Sequence, residues 1–280
     1  MSAARLKSRP LKKVWGKREL PSPFEGLCAS DSPIGEIWFE SSTRRAQPLL
    51  AKYLFTSEKL SIQVHPDNDA ARARGHRSGK DEAWLVLNAE PGAVIAIGLR
   101  WPMSAEELRQ AALQGTLEEL VHWQPVKAGD IFYSPAGTVH AIGAGVSLIE
   151  IQQNVDVTFR LYDYGRDREL HLQDAVAVAD LQPYTIPCQR HECSPGRNIA
   201  AAGGEFVLER WCGPHAGLLA APSGRPITVV PVKGGGTIDD RPLKPGEVWT
   251  ATGSTRFSLD AGAEVLIAYP GADVLDSPPA

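Results

Sequence analysis

The sequence predicts a mainly β protein, with two β-barrels or sandwiches in series and one small helical insertion. The chain has 280 residues, 43% of them hydrophobic and 22% charged, which is enough apolar material for one large or two modest domains. Its 26 glycines and 22 prolines are spread along the chain and punctuate many short runs of strand-forming residues. Only one stretch has the spacing of a well-capped helix.

The first half contains a succession of short strand signals. A polar turn after Pro66 ends the first of them, and a proline-glycine turn separates the next two. The run at 48–56 fits either a helix or a strand, because short apolar runs are ambiguous. The remaining signals predict strands at 60–64, 83–87, 93–99, 131–133, 147–152 and 158–162.

The helical insertion is predicted over 104–123. Ser104 and Glu107 have the spacing of a capping box, and apolar residues follow at helical intervals. Gly115 should end this helix, and Thr116 should cap a second, shorter one.

The second half begins where the sequence loses its periodicity, after about residue 183. We therefore predict a first domain over 1–180 and a second β-barrel over 181–280. The tail contains hairpin-turn signals at 234–236 and 239–240 and further strand signals at 205–211, 227–232, 247–250, 256–259 and 264–269.

Charge and hydropathy exclude several classes of protein. The net charge of -4 gives no general grip on nucleic acid, and no apolar run is long enough to span a membrane. We interpret the basic cluster before residue 19 as a solvated lead-in segment. Four cysteines without a C-x-x-C pair favour reduced thiols over a Cys188–Cys193 disulfide, and the chain is predicted to be cytoplasmic.

Two passages contain candidate metal ligands. Gln63 and His65 should share one face of a strand, because side chains two residues apart point the same way, and Lys80 and Glu82 should do so at the next strand. His140 follows a proline-glycine turn. Together they offer two imidazoles, a carboxylate and an amide oxygen, a set that suits zinc and, by ligand type alone, iron, manganese or nickel.

The passage that ends at His140 has the spacing G-x5-P-x-G-x2-H, from Gly129 onward. This spacing matches the second sequence motif of the cupin superfamily, except that Ala144 stands in place of the final asparagine. The first cupin motif is not met, because Gln63 occupies the place of its first histidine.

That departure is typical of one cupin family. The passages LSIQVHPDNDAARA, GKDEAWLVL, PAGTVHAIGAG and EIQQNVDVTFRLYDYGR resemble the type I mannose-6-phosphate isomerases. The resemblance runs in order from about residue 11 to 170. The tail resembles the family's second, metal-free barrel only in its general pattern of short strands and turns. It implies cupin (jelly-roll) barrels and a compact, bacterial-type form of the enzyme.

The resemblance also implies roles for individual residues. One zinc per chain would be bound by Gln63, His65, Glu82 and His140. The family's catalytic arginine falls on Arg160, with Arg166 as the alternative if the local register is shifted. The lysine near the substrate is Lys80, and the serine of a phosphate contact is Ser61.

The implied reaction interconverts mannose 6-phosphate and fructose 6-phosphate by moving a proton between C1 and C2. A divalent metal and nearby cations would stabilise the enediolate. The sequence does not assign the base: a metal-bound water, Lys80 and the neighbours of His65 are all candidates. It does not assign the oligomeric state either. The alternatives are another metal-dependent cupin enzyme, such as an oxygenase, and a sugar-binding cupin without catalysis.

Overall fold

The structure, a computed structural model, describes residues 3–27, 32–42, 47–185, 191–202, 204–222 and 225–275. It is 46% strand and 12% helix, which confirms the mainly β prediction. None of the described helices has the length and hydrophobicity needed to span a bilayer.

Besides a short 3-10 helix at Glu25–Leu27, the described residues in the first half of the chain form strands β1 to β12 and helices α1 to α4. In chain order they are β1 (Ala3–Arg5), β2 (Lys7–Lys17), β3 (Ile34–Glu40), β4 (Leu49–Phe55), β5 (Ile62–Val64), α1 (Asn68–Ala73), β6 (Glu82–Ala89), β7 (Val94–Leu99), α2 (Ala105–Gln114), α3 (Leu117–Leu120), β8 (Val121–Pro125), β9 (Ile131–Ser134), β10 (His140–Ile142), β11 (Val146–Gln153), β12 (Phe159–Tyr162) and α4 (Leu172–Val178).

The described residues of the second half form strands only. They are β13 (His191–Ser194), β14 (Arg197–Ala201), β15 (Phe206–Cys212), β16 (His215–Ala220), β17 (Ile227–Lys233), β18 (Gly236–Ile238), β19 (Arg241–Pro242), β20 (Trp249–Ala251), β21 (Ser254–Leu259) and β22 (Glu264–Pro270).

The strands form four antiparallel sheets. A six-stranded sheet has the order β2-β3-β4-β11-β6-β9, and a five-stranded sheet has the order β12-β5-β10-β7-β8. The second half supplies a four-stranded sheet, β16-β21-β18-β19, and most of a seven-stranded sheet, β1-β20-β17-β22-β15-β14-β13. Because β1 pairs with β20, the beginning of the chain belongs to the sheet of the second half. The domain boundary near residue 180 stays a prediction. Strand β1 precedes that boundary in the chain but pairs with a strand that follows it.

Buried apolar clusters show how the sheets are layered. Helices α2, α3 and α4 cover the outer face of the five-stranded sheet, whose inner face packs on the six-stranded sheet. The other face of the six-stranded sheet packs on the seven-stranded sheet, with the aromatic rings of Phe24, Tyr53 and Phe206 buried between them. The seven-stranded sheet packs in turn on the four-stranded sheet. The two halves therefore share a continuous apolar core.

Alternation along the strands decides which side chains face the space between the six- and five-stranded sheets. In β6, Trp84 and Val86 face this space, whereas Ala83 and Leu85 face the seven-stranded sheet. This is the period-two pattern of a strand, and it directs Glu82 toward the five-stranded sheet as well.

The helical insertion is confirmed, with one difference in its caps. Ser104 accepts a hydrogen bond from the amide of Glu107, whose carboxylate accepts one from the amide of Ser104, so the capping box is complete. Gly115 ends α2 in the left-handed conformation, with φ of 75°. Thr116, in contrast, makes no side-chain cap.

Other local features differ from the sequence analysis or resolve what it left open. The basic residues of the lead-in segment are mostly exposed, as predicted, but the segment forms β1 and β2, which pair within sheets. Two short helices, α1 and α4, were not predicted; α1 begins directly after Asp67, whose side chain caps it. The ambiguous run at 48–56 forms strand β4. Cys28 and Cys188 lie outside the described residues, and Cys193 and Cys212 are free thiols.

Candidate metal centre and active site

A polar cavity of about 270 Å³ lies between the six- and five-stranded sheets. This volume is close to the lower end of the roughly 300–1,000 Å³ range of small-molecule sites. The predicted residues Ser61, Gln63, Lys80, Glu82, His140 and Arg160 all line it. Both sheets contribute charged groups, so the cavity suits a small polar ligand.

Strand register brings three of the predicted residues into one row on the five-stranded sheet. Gln63 of β5 lies directly opposite His140 of β10 on one side and opposite Arg160 of β12 on the other. Directly opposed residues of antiparallel strands point to the same face. The row therefore runs Arg160, Gln63, His140 across the cavity wall.

The carboxylate of Glu82 meets this row from the six-stranded sheet. Its two oxygens lie 3.3 Å from His65 Nε2 and 3.5 Å from His140 Nε2. The ligand atoms of His65, Glu82 and His140 lie within 4.8 Å of one another, and all three residues are buried. These three groups are close enough to hold one metal ion.

His140 is held from the back of the cluster, whereas His65 is contacted on the cluster side and its buried Nδ1 has no hydrogen-bond partner among the described residues. His140 Nδ1 donates to the Thr138 carbonyl at 2.9 Å, which leaves the lone pair of Nε2 directed at the cluster. Lys80 Nζ donates to His65 Nε2 at 3.2 Å, so this nitrogen also has its lone pair on the cluster side. The amide of Gly137 donates to the His65 carbonyl at 2.8 Å and joins the two histidine segments.

The cluster keeps its imidazoles neutral and its carboxylate ionised. Burial, reinforced by the Lys80 ammonium, lowers the pKa of His65 to about 3. Burial also lowers the pKa of His140, against the opposing effect of Glu82. Burial alone would raise the pKa of Glu82, but the Lys80 ammonium, 2.6 Å from its Oε1, holds that pKa well below its usual range. All three groups are in the protonation states that metal ligands need.

The residues fit a divalent metal such as zinc. Two neutral imidazole nitrogens and one carboxylate form a common ligand set of catalytic zinc sites. Lys80 approaches Glu82 Oε1 off the hydrogen-bonding direction, and this buried oxygen has no hydrogen-bond donor among the described residues. An incompletely satisfied carboxylate beside two imidazole lone pairs is the arrangement that a cation would complete.

Gln63 is near the cluster, but its amide nitrogen, not its oxygen, faces His140. Gln63 Nε2 lies 3.3 Å from His140 Nε2, while its Oε1 accepts a hydrogen bond of 3.0 Å from Ser61. A half-turn of the amide would exchange its two atoms, and the hydroxyl of Ser61 can accept as well as donate. The predicted oxygen ligand is therefore available only in the turned orientation.

The structure distinguishes the two candidate arginines. Arg160 lines the cavity, and its guanidinium makes one weak contact, 3.4 Å to the Glu169 carbonyl, without an ion pair in the described part of the chain. Arg166 lies outside the cavity and is bound to Asp163 at 2.8 Å. Burial, and then the charge of Arg168, lowers the pKa of Arg160. Arg160 has donors free for a ligand.

A row of charged residues on the opposite wall was not predicted. Lys52 lies between Trp38 and Glu150 in register, and Glu150 lies opposite Trp84. Lys52 and Glu150 form a buried ion pair of 2.8 Å, and Trp84 donates to Glu150 at 3.2 Å. Burial, and then the charge of Glu82, raises the pKa of Glu150. A single charge within the apolar runs LLAKYLF and VSLIEIQQ was the signal that could have identified both.

Comparisons with known proteins agree with the resemblance seen in the sequence. The chain is 36% identical over 211 residues to a mannose-6-phosphate isomerase of Streptococcus mutans, a match that covers 62% of this chain and 66% of that protein. It is 41% identical over 151 residues to mannose-6-phosphate isomerase ManA of Bacillus subtilis, covering 51% and 47%. The chain thus spans about half to two thirds of the length of the curated relatives it matches. No family model matches it.

Solved structures extend the similarity to the whole fold. The crystal structure of the mannose 6-phosphate isomerase from Bacillus subtilis matches with a TM-score of 0.82 and 26% identity, over 96% of this chain and 99% of that one. A zinc-bound mannose 6-phosphate isomerase matches with a TM-score of 0.71 and 14% identity, over 96% and 100%, and at that identity supports the fold alone. The chain belongs to the mannose-6-phosphate isomerase family of cupin-fold proteins.

Proposed function

We propose that this chain interconverts mannose 6-phosphate and fructose 6-phosphate with one zinc ion held by His65, Glu82 and His140, and by Gln63 in its turned orientation. The observation that carries the proposal is that Gln63, Glu82, His140 and Arg160 line one polar cavity, while His65 converges with Glu82 and His140 in one buried cluster. The named activity of the relatives supports it.

The reaction moves a proton between C1 and C2 of the sugar while negative charge develops on the carbonyl oxygen. When bound, zinc supplies Lewis-acid stabilisation of that charge. The Lys80 ammonium, buried within 2.6 Å of Glu82, adds a second positive charge beside the cluster. Such fixed charges act strongly where water is excluded.

Arg160 is the residue we assign to the substrate's anionic groups. Its free donors form a planar fork that suits a phosphate or an enediolate oxygen. Arg168 also lines the cavity, but its Nε and Nη2 donate to the two carboxylate oxygens of Asp163, each at 2.6 Å. Ser61 is 2% exposed and bonded to Gln63, so we assign it to orienting that amide, with phosphate contact as its sequence-based alternative.

The proton-transfer step requires a wall group that can gain and lose a proton near the substrate. We consider Lys80 and Glu150, each of which lines the cavity, is buried and has a charged neighbour. The raised pKa of Glu150 brings a carboxyl group closer to the operating pH, which favours acid–base work. Glu150→Gln removes this titration without changing size, so the pH profile of kcat distinguishes the two.

The experiment is an isomerase assay on the purified chain with fructose 6-phosphate. Mannose 6-phosphate should appear, disappear after treatment with a chelator and return when zinc is added back. No product in the zinc-loaded protein would refute the proposal. Sugar-phosphate binding without turnover would then indicate a sugar-binding cupin, and oxygen consumption would indicate an oxygenase.

A further inference from the structure

Asp81 lies between Lys80 and Glu82 in the chain, but its side chain points away from the cavity. Strand alternation directs it toward the seven-stranded sheet, where it is 7% exposed. Its own backbone is fixed on both sides, since its amide donates to Gln153 Oε1 at 3.0 Å and its carbonyl accepts from the Gln153 amide at 3.1 Å. The buried carboxylate does not belong to the site already described.

Three donors from three different segments bind this carboxylate. The Tyr133 hydroxyl of β9 donates to Oδ2, and the Ala136 amide, in the loop before β10, donates to Oδ1 at 2.9 Å. The Glu205 amide, from the second half of the chain, donates to Oδ2 at 3.4 Å. Within the described ranges no lysine, arginine or histidine forms an ion pair with Asp81. Neutral donors alone therefore satisfy a buried negative charge, which makes each of them important.

These bonds join the segments that carry the metal ligands. Asp81 precedes Glu82 directly, and Ala136 lies on the loop that leads to His140. The next residue, Gly137, donates to the His65 carbonyl at 2.8 Å. The relative positions of the three ligands are therefore fixed from behind the cluster.

The second half of the chain is fitted closely against this network. A Cβ placed on Gly204 would lie 2.7 Å from Tyr133 Cζ and 2.9 Å from Asp81 Oδ2, both closer than such atoms approach in proteins. Tyr133 and Phe206 also pack edge to face, with ring centroids 5.5 Å apart. Any side chain at Gly204 must displace Tyr133 or Asp81.

We propose that Asp81 is a positioning residue through which the second half of the chain holds Lys80, Glu82 and the His140 loop in their working geometry. The inference rests on the proposed function for its metal. Its principal readouts are metal affinity and the spectrum of the cobalt-substituted protein, neither of which depends on turnover.

The experiment compares Asp81→Asn, Asp81→Ala, Tyr133→Phe and Gly204→Ala with the wild type, using Co²⁺ and Zn²⁺ as probes. Glu205→Ala is the matched control, because it alters the same loop but keeps the main-chain donor. Zinc affinity, measured by competition with a chromophoric chelator, should fall by about 10–100-fold in Asp81→Ala and Gly204→Ala, as for the loss of other outer contacts to ligand segments. Asp81→Asn should retain part of the affinity, because its amide oxygen still accepts.

The cobalt absorption spectrum should change in the same variants and stay unchanged in Glu205→Ala. Tyr133→Phe removes a single donor and should give a smaller change in a protein that folds normally. Wild-type zinc affinity and an unchanged cobalt spectrum in folded Asp81→Asn and Tyr133→Phe, whatever their melting temperatures, would overturn the proposal. The two proposals can fail separately. Altered cobalt spectra in the variants would support the positioning role of Asp81, even if the wild-type chain had no isomerase activity and the proposed function were thereby refuted.

Discussion

Replacement of Lys80 by methionine should destabilise the metal-free protein and have much less effect on the zinc-loaded protein. Lys80 and Glu82 are 6% and 2% exposed at their side chains, and their charged atoms are 2.6 Å apart. Removal of one partner from a buried pair leaves an uncompensated charge, at a cost of about 3–5 kcal/mol, whereas an exposed pair contributes roughly 0–1 kcal/mol. Bound zinc would supply the missing positive charge to Glu82.

The assay is thermal unfolding in the presence of chelator and again with zinc. At about 2–4 °C per kcal/mol for chains of this size, the metal-free midpoint of Lys80→Met should fall by at least about 6 °C. Zinc should raise the midpoint more in the variant than in the wild type. Lys127→Met, which changes an exposed lysine, is the control and should change neither value. A metal-free midpoint of Lys80→Met equal to that of the wild type would refute the reasoning.

Three further predictions concern the ligands and the cavity arginine. His140→Ala should lose stoichiometric zinc and activity together, because an imidazole ligand is lost; full zinc content in that variant would show that the site is elsewhere. If Arg160 acts on developing charge, Arg160→Lys should lower kcat strongly with little change in KM, and if it holds the phosphate KM should rise; near-wild-type kinetics in Arg160→Lys and Arg160→Ala would exclude both roles. Metal-free stability should fall as the pH drops from about 6.5, because the neutral form of His65 is favoured by the fold, with a pKa of about 3, and the unfolded chain takes up the proton first. The slope from this one residue approaches about 1.4 kcal/mol per pH unit, and it should disappear in His65→Gln; an identical slope in that variant would contradict the assignment.

The candidate site residues could be proposed from the sequence because their spacing obeys local rules. Gln63 and His65 are two residues apart, and so are Lys80 and Glu82. Lys80 and Glu82 both line the cavity, whereas Gln63 lines it and His65 belongs to the three-residue cluster beside it. The motif around His140 defined a turn and a strand start, and β10 does begin at His140. The choice between the two arginines depends on strand register, which a local motif does not give. Strand β12 places Arg160 opposite Gln63.

Features that depend on distant pairing were not predicted. Lys52 and Glu150 meet because β4 and β11 pair, and neither residue has a local motif. Strand β1 pairs with β20 from the far end of the chain, so its basic neighbours appeared to be a solvated segment. The contact of Glu205 with Asp81 likewise arises from the packing of the two halves, which no local pattern contains.

A zinc titration of the metal-free protein, followed by the isomerase assay, tests the central claim most directly. Activity on fructose 6-phosphate should rise linearly with added zinc and stop rising at about one ion per chain, since the three buried ligands converge on a single point. The same titration of His140→Ala should give no rise. Activity that is already full without zinc, or that is regained by the His140→Ala variant, would contradict the account.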